Sequence, residues 1–247
     1  MEFTHAIWEK RNMGVDCWEV EINESDTIEK FIEKMKTIQT QYMVVKTPCD
    51  LTGVGLKLQN LGYSYIENIF LFKHDASLPT LNPLQKRIVD KMSYCEMDTE
   101  DIAYLFENIK NGMFTTDRVY KDPYFTKEQA YNRYIGWISD EIARGTKIFN
   151  IIYKDDRVGF FTIYDKGNGE FNSPIAGVYQ NVKLPGLGIV MDYFEIKEMI
   201  SQNGKCVYAT VSTNNRAALT IPINLGYTVE KVETVYIKHM EDYYEFA

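Results

Sequence analysis

Val178-Tyr179-Gln180-Asn181-Val182-Lys183-Leu184-Pro185-Gly186-Leu187-Gly188-Ile189 is the stretch on which the fold turns. A β-rich run ends at Val178, and the loop Lys183 to Gly188 follows it. From Ile189 to about Gln202 the residues predict a helix that Gly204 ends, and a further β-rich run covers Cys206 to Val211. Strand, tight glycine loop, helix and buried strand form an arrangement suited to phosphate-bearing ligands. Amides of the loop and the positive end of the helix face the anion, and glycine lets the ligand approach the main chain closely. Two other phosphate motifs are excluded. Met191 stands where the dinucleotide fingerprint needs its third glycine, and no Gly-Lys-Ser/Thr follows as a P-loop requires. By itself, Gly-x-Gly also describes a plain strand-to-helix connection.

Upstream, Ile148 to Tyr153, Val158 to Tyr164 and Ser173 to Tyr179 predict an antiparallel meander, punctuated by Asp155-Asp156 and Gly167-Asn168-Gly169. Before it, Asp98 caps a helix running to Ile109. Thr126-Lys127-Glu128-Gln129 has capping-box spacing and opens a helix with Tyr134, Trp137, Ile138 and Ile142 on one face, stopped by Gly145. Downstream, a short helix leads into a closing strand pair.

Val178, Lys183-x-x-Gly186-x-Gly188, Asn215, Ala218 and Gly226-Tyr227 together resemble the GNAT superfamily of N-acetyltransferases over about residues 85 to 240. The resemblance implies an α/β (α+β) fold with a mixed, mostly antiparallel central sheet flanked by helices, and acetyl-CoA as cofactor. Lys183 and the backbone amides of Leu184, Gly186, Leu187, Gly188 and Ile189 would hold the pyrophosphate of coenzyme A. Val178 would offer main chain to the pantetheine arm and the thioester carbonyl, and Asn215 would meet the cofactor from the other side of a splayed sheet. Read alone, Lys183 is also a solvated surface lysine and Asn215 a helix cap. One position departs from the family pattern. Pro222 stands where many members carry a tyrosine that protonates the departing thiolate, and proline should also cut or kink the short helix. An alkyl thiol has a pKa near ~8.5, so a thiolate leaves without help far more readily than an alkoxide. The catalytic acid and base are therefore unassigned; Glu170 is a conceivable base.

Asn60-Leu61-Gly62-Tyr63 recurs as Asn224-Leu225-Gly226-Tyr227. Each tetrapeptide closes a helix-like stretch, and each following β-rich run ends in Lys-His, at Lys73-His74 and Lys238-His239. Duplication explains the echo: a helix stopped by glycine, then a strand returning to a sheet. The amphipathic spacing of Ile28, Phe31, Ile32, Met35 and Ile38 predicts a helix over Ser25 to Ile38, flanked by strands at Trp18 to Ile22 and Tyr42 to Val45. Pro79 and Pro83 mark a boundary, giving residues 1–78 as a truncated, degenerate GNAT-like half and 79–247 as the acetyl-CoA-binding domain. Trp8-Glu9, the shortened first half and Phe114 to Trp137 resemble, more narrowly, two-part enzymes of the dTDP-fucosamine acetyltransferase kind. That implies a nucleotide-linked amino sugar as acceptor. The loop Asp117-Arg118-Val119-Tyr120 would then bind it, with Arg118 as a fork for phosphate and Tyr120 beside it.

Composition narrows the alternatives. The 247 residues carry 27 basic and 35 acidic side chains, a formal charge of −8, which leaves no basic stripe for nucleic acid. No apolar run approaches the ~18–20 residues that cross a bilayer, and the N-terminus has no secretory character, so a cytoplasmic protein with no membrane partner is expected. Cys17, Cys49, Cys95 and Cys206 are too dispersed for a zinc site or disulfide scaffold, and His5, His74 and His239 accompany no nucleophile motif, so no metal is expected. The tail Glu241 to Phe246 is acidic and aromatic. The reading is an N-acetyltransferase acting on a small-molecule primary amine, with a catalytically silent acyl-CoA-binding module as the alternative that Pro222 keeps open.

Overall fold

Phe160 and Phe161 are neighbours in sequence yet both are wholly buried, in different cores, because successive side chains of a strand point to opposite faces of its sheet. The computed structural model describes residues 1–180, 182 and 184–240; Lys183 and the tail Glu241 to Phe246 lie outside the described residues. The first part contains β1 (Glu2–His5), α1 (Ile7–Met13), β2 (Cys17–Glu21), α2 (Ile28–Met35), β3 (Tyr42–Pro48), α3 (Thr52–Asn60) and β4 (Ser64–Asp75). The second contains α4 (Pro83–Val89), β5 (Met92–Glu96), α5 (Thr99–Lys110), α6 (Arg118–Lys121), α7 (Lys127–Arg144), β6 (Lys147–Tyr153), β7 (Asp156–Gly167), β8 (Glu170–Ser173), β9 (Ala176–Val178), α8 (Leu187–Ser201), β10 (Cys206–Ser212), α9 (Arg216–Asn224) and β11 (Thr228–His239).

The strands form one mixed, mostly antiparallel sheet in the order β1-β2-β3-β11-β4-β10-β8-β7-β6-β5, with β9 against β7. Only β2–β3 and β8–β10 pair in parallel. Helix α8, with α4 and α9, covers one face over Phe72, Phe161, Phe171 and Val207. Helices α5 and α7 cover the other over Leu105, Ile109, Ile138, Ile148 and Phe160. Capping sets their starts: Asp98 and Thr126 form the expected capping boxes, and Gly145 ends α7 in a left-handed conformation at φ 93°. The segment around Pro79 and Pro83 is more ordered than a linker. Pro83 is the first residue of α4, and Asn82 with Gln85 makes another capping box. The run expected over Ser173 to Tyr179 is broken at Pro174 into β8 and β9. The closing strand pair is in fact a single strand, β11, whose partners come from the first part.

The repeated tetrapeptide marks an internal two-fold. Gly62 and Gly226 both take positive φ, at 84° and 89°, and turn the chain from α3 into β4 and from α9 into β11. β4 and β11 then pair antiparallel, with Ser64 opposite Ile237 and Thr228 opposite Lys73. The two registers are mirror relations, since position 64 corresponds to 228 and 73 to 237 under the echo. The strand ends cap each other's helices. Lys238 Nζ donates to the Leu61 carbonyl at 2.7 Å, and His74 Nε2 donates to the Leu225 carbonyl at 3.1 Å. Each also lies on the tyrosine of the other tetrapeptide, Lys238 at 5.5 Å from the Tyr63 ring centre and His74 at 4.8 Å from that of Tyr227. His74 thus corresponds to Lys238, and the shared Lys-His lettering is displaced by one residue.

Because of this two-fold, each half lends its last strand to the other: β4 pairs with β10, and β11 pairs with β3. Residues 79–247 expressed alone would leave β10 and β11 without the strand between them and take Phe72 out of the core, uncovering the apolar side chains around it at a cost of ~1.5–3 kcal/mol. Such a fragment is expected to show no cooperative thermal unfolding by circular dichroism, and co-expression with residues 1–78 is expected to restore it.

Candidate functional site

The two parallel strands β8 and β10 stay in register from Glu170 opposite Cys206 to Ser173 opposite Ala209, and there the ladder ends. Pro174 follows and has no N–H to donate. Thr162, wholly buried, then replaces a strand partner: its hydroxyl accepts from Ile175 N–H at 3.0 Å and donates to the Ile175 carbonyl at 2.6 Å. Beyond this pin β9 pairs with β7 alone, through Gly159 opposite Val178. β10 continues to Ser212 with its other edge on β4. The strands therefore open into a wedge whose inner edges have main-chain groups without a strand partner among the described residues.

Helix α8 begins beyond the β9 arm of that wedge. Gly186 is its N-cap at φ 86° and ψ 4°, where a side chain would be strained, and no side chain caps the helix or places an acid in its first turn. The first-turn amides have no acceptor within the helix, so its positive end is bare of side-chain partners. Leu187 is buried and anchors the helix start in the core, with Val178, Leu184 and Ile189 packed against the same cluster. The structure thus gathers Val178, Leu184, Gly186, Leu187, Gly188 and Ile189 at one corner; Lys183 is outside the described residues. Gly188 differs from expectation in its purpose. A Cβ there would lie 2.1 Å from Ile221 Cδ1, so its small size serves the packing of α8 on α9.

Asn215 is the N-cap of α9, its Oδ1 accepting from Ala218 N–H at 3.2 Å. Helix α9 runs through Pro222 to Asn224 without being cut, because proline falls in the last turn and costs a single helical hydrogen bond. Beside it, Asp192 and Glu195 of α8 are carboxyls that burial pushes well above the usual carboxylate range, with the Asp192 charge adding to the effect on Glu195. The Tyr227 hydroxyl feels both and has no hydrogen-bond partner. Spacing by three along an apolar helix hid this pair among core positions.

Arg118, expected as a phosphate fork, is committed elsewhere. It is 7% exposed and donates to Glu19, with Glu9 at 3.6 Å. Arg133 joins the same network through Glu9 at 2.8 Å and Asp117 at 3.2 Å, and Lys46 meets Glu19 at 2.9 Å. Burial works against the Glu19 charge, but Arg118 and Lys46 override it and hold the carboxyl down at about 2. The guanidinium binds α6 to β2 and α1, and Tyr120 lies 6.4 Å from Tyr131, ring centre to centre. Glu170 sits at the paired end of β8, away from the wedge, 3.7 Å from Lys166.

The first half has the same elements without the site. β2 and β3 remain paired from Cys17 opposite Tyr42 to Glu21 opposite Lys46, so no wedge opens. Its strand-to-helix connection, Ile22 to Thr27, contains Glu24 and Asp26 and no glycine, and Asp26 pairs with the amino terminus of Met1. A cavity of about 920 Å³ reaches Leu184 from outside the loop, but Asp101, Asp155 and Asp156 against Arg157 make it a poor host for phosphate. A second, of about 650 Å³, lies between the start of β4 and the end of β11, where Tyr124 stacks on His239 at 4.0 Å and His239 pairs with Asp122 at 2.7 Å. Among the described residues no group of side chains forms a metal site, and no helix is long and apolar enough to cross a membrane.

The geometry has counterparts in solved structures. A functionally unknown conserved protein from Staphylococcus epidermidis is 12% identical, with a TM-score of 0.60 over 91% of this chain and 84% of that one. A GCN5-related N-acetyltransferase from Sphaerobacter thermophilus is 14% identical, with a TM-score of 0.53 over 86% and 65% of the two chains. A tandem GNAT protein from the clavulanic acid biosynthesis pathway is 10% identical, with a TM-score of 0.52 over 84% and 66%. At these identities the likeness establishes a two-part GNAT-like fold. No protein-family model and no curated protein sequence matches the chain.

The ion network makes a stability prediction. Arg118→Ala leaves Glu19 and Glu9 buried without their shared cation and is expected to cost about 3–5 kcal/mol in urea unfolding at pH 7. A carboxyl whose folded pKa is depressed adds stability above its unfolded value of 4.5, lost as pH falls toward about 2. The wild type should therefore lose stability across that interval, and Arg118→Ala should lose less.

Proposed function

We propose that the protein is an acetyl-CoA-dependent N-acetyltransferase acting on a primary amine. One observation supports this above the others: the wedge between β9 and β10 adjoins a helix start that is glycine-capped and bare of side-chain partners. The residues present fit coenzyme A. Its diphosphate suits the amides of Leu187 and Gly188, beside that of Ile189, which donates to the Gly186 carbonyl at 3.1 Å, with Leu184 on the approach and Lys183 as a counter-charge. The amide-bearing pantetheine arm suits the unpaired edge of β9 ending at Val178. Asn215 spends its oxygen on the α9 cap and keeps its NH₂ group for the ligand. The shared GNAT-like fold supports the same reading.

When bound, acetyl-CoA supplies an acetyl group activated as a thioester. The chain supplies position and electrostatics: the β9 edge holds the thioester beside the wedge, an N–H of that edge stabilises charge growing on the carbonyl oxygen, and proximity accounts for most of the acceleration. Pro222 contributes no proton, which a thiolate leaving group tolerates. A nucleotide-linked amino sugar is the acceptor we put first, on the resemblance carried by Trp8-Glu9 and Phe114 to Trp137. Arg118, held in its ion pairs, is not part of that acceptor site.

Isothermal titration with coenzyme A tests the cofactor reading, and thiol release from acetyl-CoA over a panel of amines tests the transfer. Leu184→Glu adds a negative charge on the phosphate approach without altering the left-handed turn, and is expected to weaken coenzyme A binding at least about tenfold, or ~1.4 kcal/mol, while its lost core contact lowers the melting temperature without abolishing cooperative unfolding. Unchanged affinity would remove the phosphate from this corner. Tight binding with no amine-dependent thiol would instead support the silent module.

A further inference from the structure

Glu67 lies on β4, the strand that the first part inserts into the second part's sheet, and it is 3% exposed. Its oxygen Oε2 accepts a hydrogen bond from the hydroxyl of Ser212, the last residue of β10. Ser212 is in turn held by Asn214 N–H at 3.1 Å. Next to it, Thr213 and Asn68 exchange hydrogen bonds: Thr213 N–H to the Asn68 carbonyl at 2.8 Å, and Asn68 N–H to the Thr213 hydroxyl at 2.9 Å. The end of β10 is thereby fixed to β4 three residues beyond the point where β8 leaves it. Extending the parallel register past Ser173 and Ala209 brings Ser212 level with Ala176 of β9. Glu67 therefore stands on the far arm of the wedge, level with the main chain that the proposed reading gives to the thioester.

The face is the right one for an acceptor. Gly177 of β9 has Met113 and Phe114 over it, and Phe114 stacks on Tyr134 at 4.2 Å. Glu67 acts electrostatically on Tyr134 and on Arg118, so it lies on this same α6 and α7 side, opposite to α8. Charge accounting then separates Glu67 from its neighbours. Arg118, Arg133 and Lys46 already face Glu9, Glu19, Asp117 and, at 4.0 Å, Glu21, three cations for four anions. Glu67 is a further carboxylate, and its one side-chain hydrogen bond among the described residues is from a neutral hydroxyl. Arg118, the cation of this face that feels Glu67, is already engaged by Glu9 and Glu19, so Glu67 has no ion pair of its own among the described residues. On this face Arg118 Nε, also buried, has no hydrogen-bond partner among the described residues.

We infer that Glu67 is the acceptor's anchor and general base, a catalytic residue contributed by the first half to the site of the second. This rests on the acetyltransferase reading. The ammonium of the acceptor pairs with the Glu67 carboxylate and gives up one proton to it. The free amine then attacks the thioester carbonyl carbon, a C–N bond forms as the C–S bond breaks, the second amine proton leaves to solvent, and the proton on Glu67 passes through solvent to the thiolate. Ser212 is a positioning residue: its donated hydrogen bond holds the Glu67 carboxylate in place at the end of β10.

The test uses the full chain, acetyl-CoA, and glucosamine, ethanolamine and a lysine-containing peptide as probe amines. Glu67→Gln is expected to bind coenzyme A as the wild type does by calorimetry, to bind the unacetylated probe amine, with coenzyme A present, at least about tenfold more weakly, and to lose on the order of 10²–10⁴ in kcat. Ser212→Ala keeps the carboxylate, serves if Glu67→Gln does not fold, and is expected to lower kcat about tenfold without weakening coenzyme A binding, a loss that Ser212→Thr, which keeps the hydroxyl, restores. Full kcat in Glu67→Gln, or in Ser212→Ala, would overturn the assignment while leaving the acetyltransferase intact. A wild type that acetylates none of the three amines would overturn both.

Discussion

The exchange of β4 and β11 is the constraint from which the rest follows. Each half ends in a strand that pairs with the other half's penultimate strand, so β3–β11 and β4–β10 are cross-pairs and β4–β11 is the two-fold seam. Backbone groups along a central strand must be paired, and no other segment of either half supplies that pairing. The helix-capping contacts of His74 and Lys238 fasten the seam at both ends. The bare start of α8 and the wedge between β9 and β10 are then placed by a sheet that strands of both halves complete.

Symmetry of fold has not meant symmetry of use. In the second half Pro174 ends the parallel ladder and Thr162 pins the break, and the result is a wedge beside a bare helix start. In the first half the ladder runs on, and acidic residues occupy the connection that glycines occupy in the second. The same elements have become a support, whose buried ions bind α1 and β2 to α6 and α7. A closed ladder with an acidic connection and a buried ion network are two aspects of one divergence.

Much of this was legible in the chain. Capping boxes at Asp98 and Thr126, glycine stops at Gly145 and Gly226, and the Gly186-x-Gly188 corner are local signals, decided by a few neighbouring residues, and they read correctly as structure. Asn82-Pro83 carries a local signal beyond the boundary read from its prolines: proline at the first helical position after an asparagine cap starts a helix. The partners of β11 were not legible, because strand pairing across more than 150 residues leaves no mark on the strand itself. Arg118 was misjudged for the same reason. An arginine in an aromatic loop looks free until Glu9 and Glu19, a hundred residues away, are brought beneath it. Glu67 was invisible, standing in a β-rich run where a single carboxylate reads as solvent-facing.

The seam also imposes an order on synthesis. A ribosome delivers β3 and β4 long before residues 228–239 exist, so during that interval the nascent first half has apolar strand edges with nothing to pair with. Its folding must await the far end of the message, and a chain arrested before β11 would be left with sticky edges of the kind that chaperones and proteases recognise.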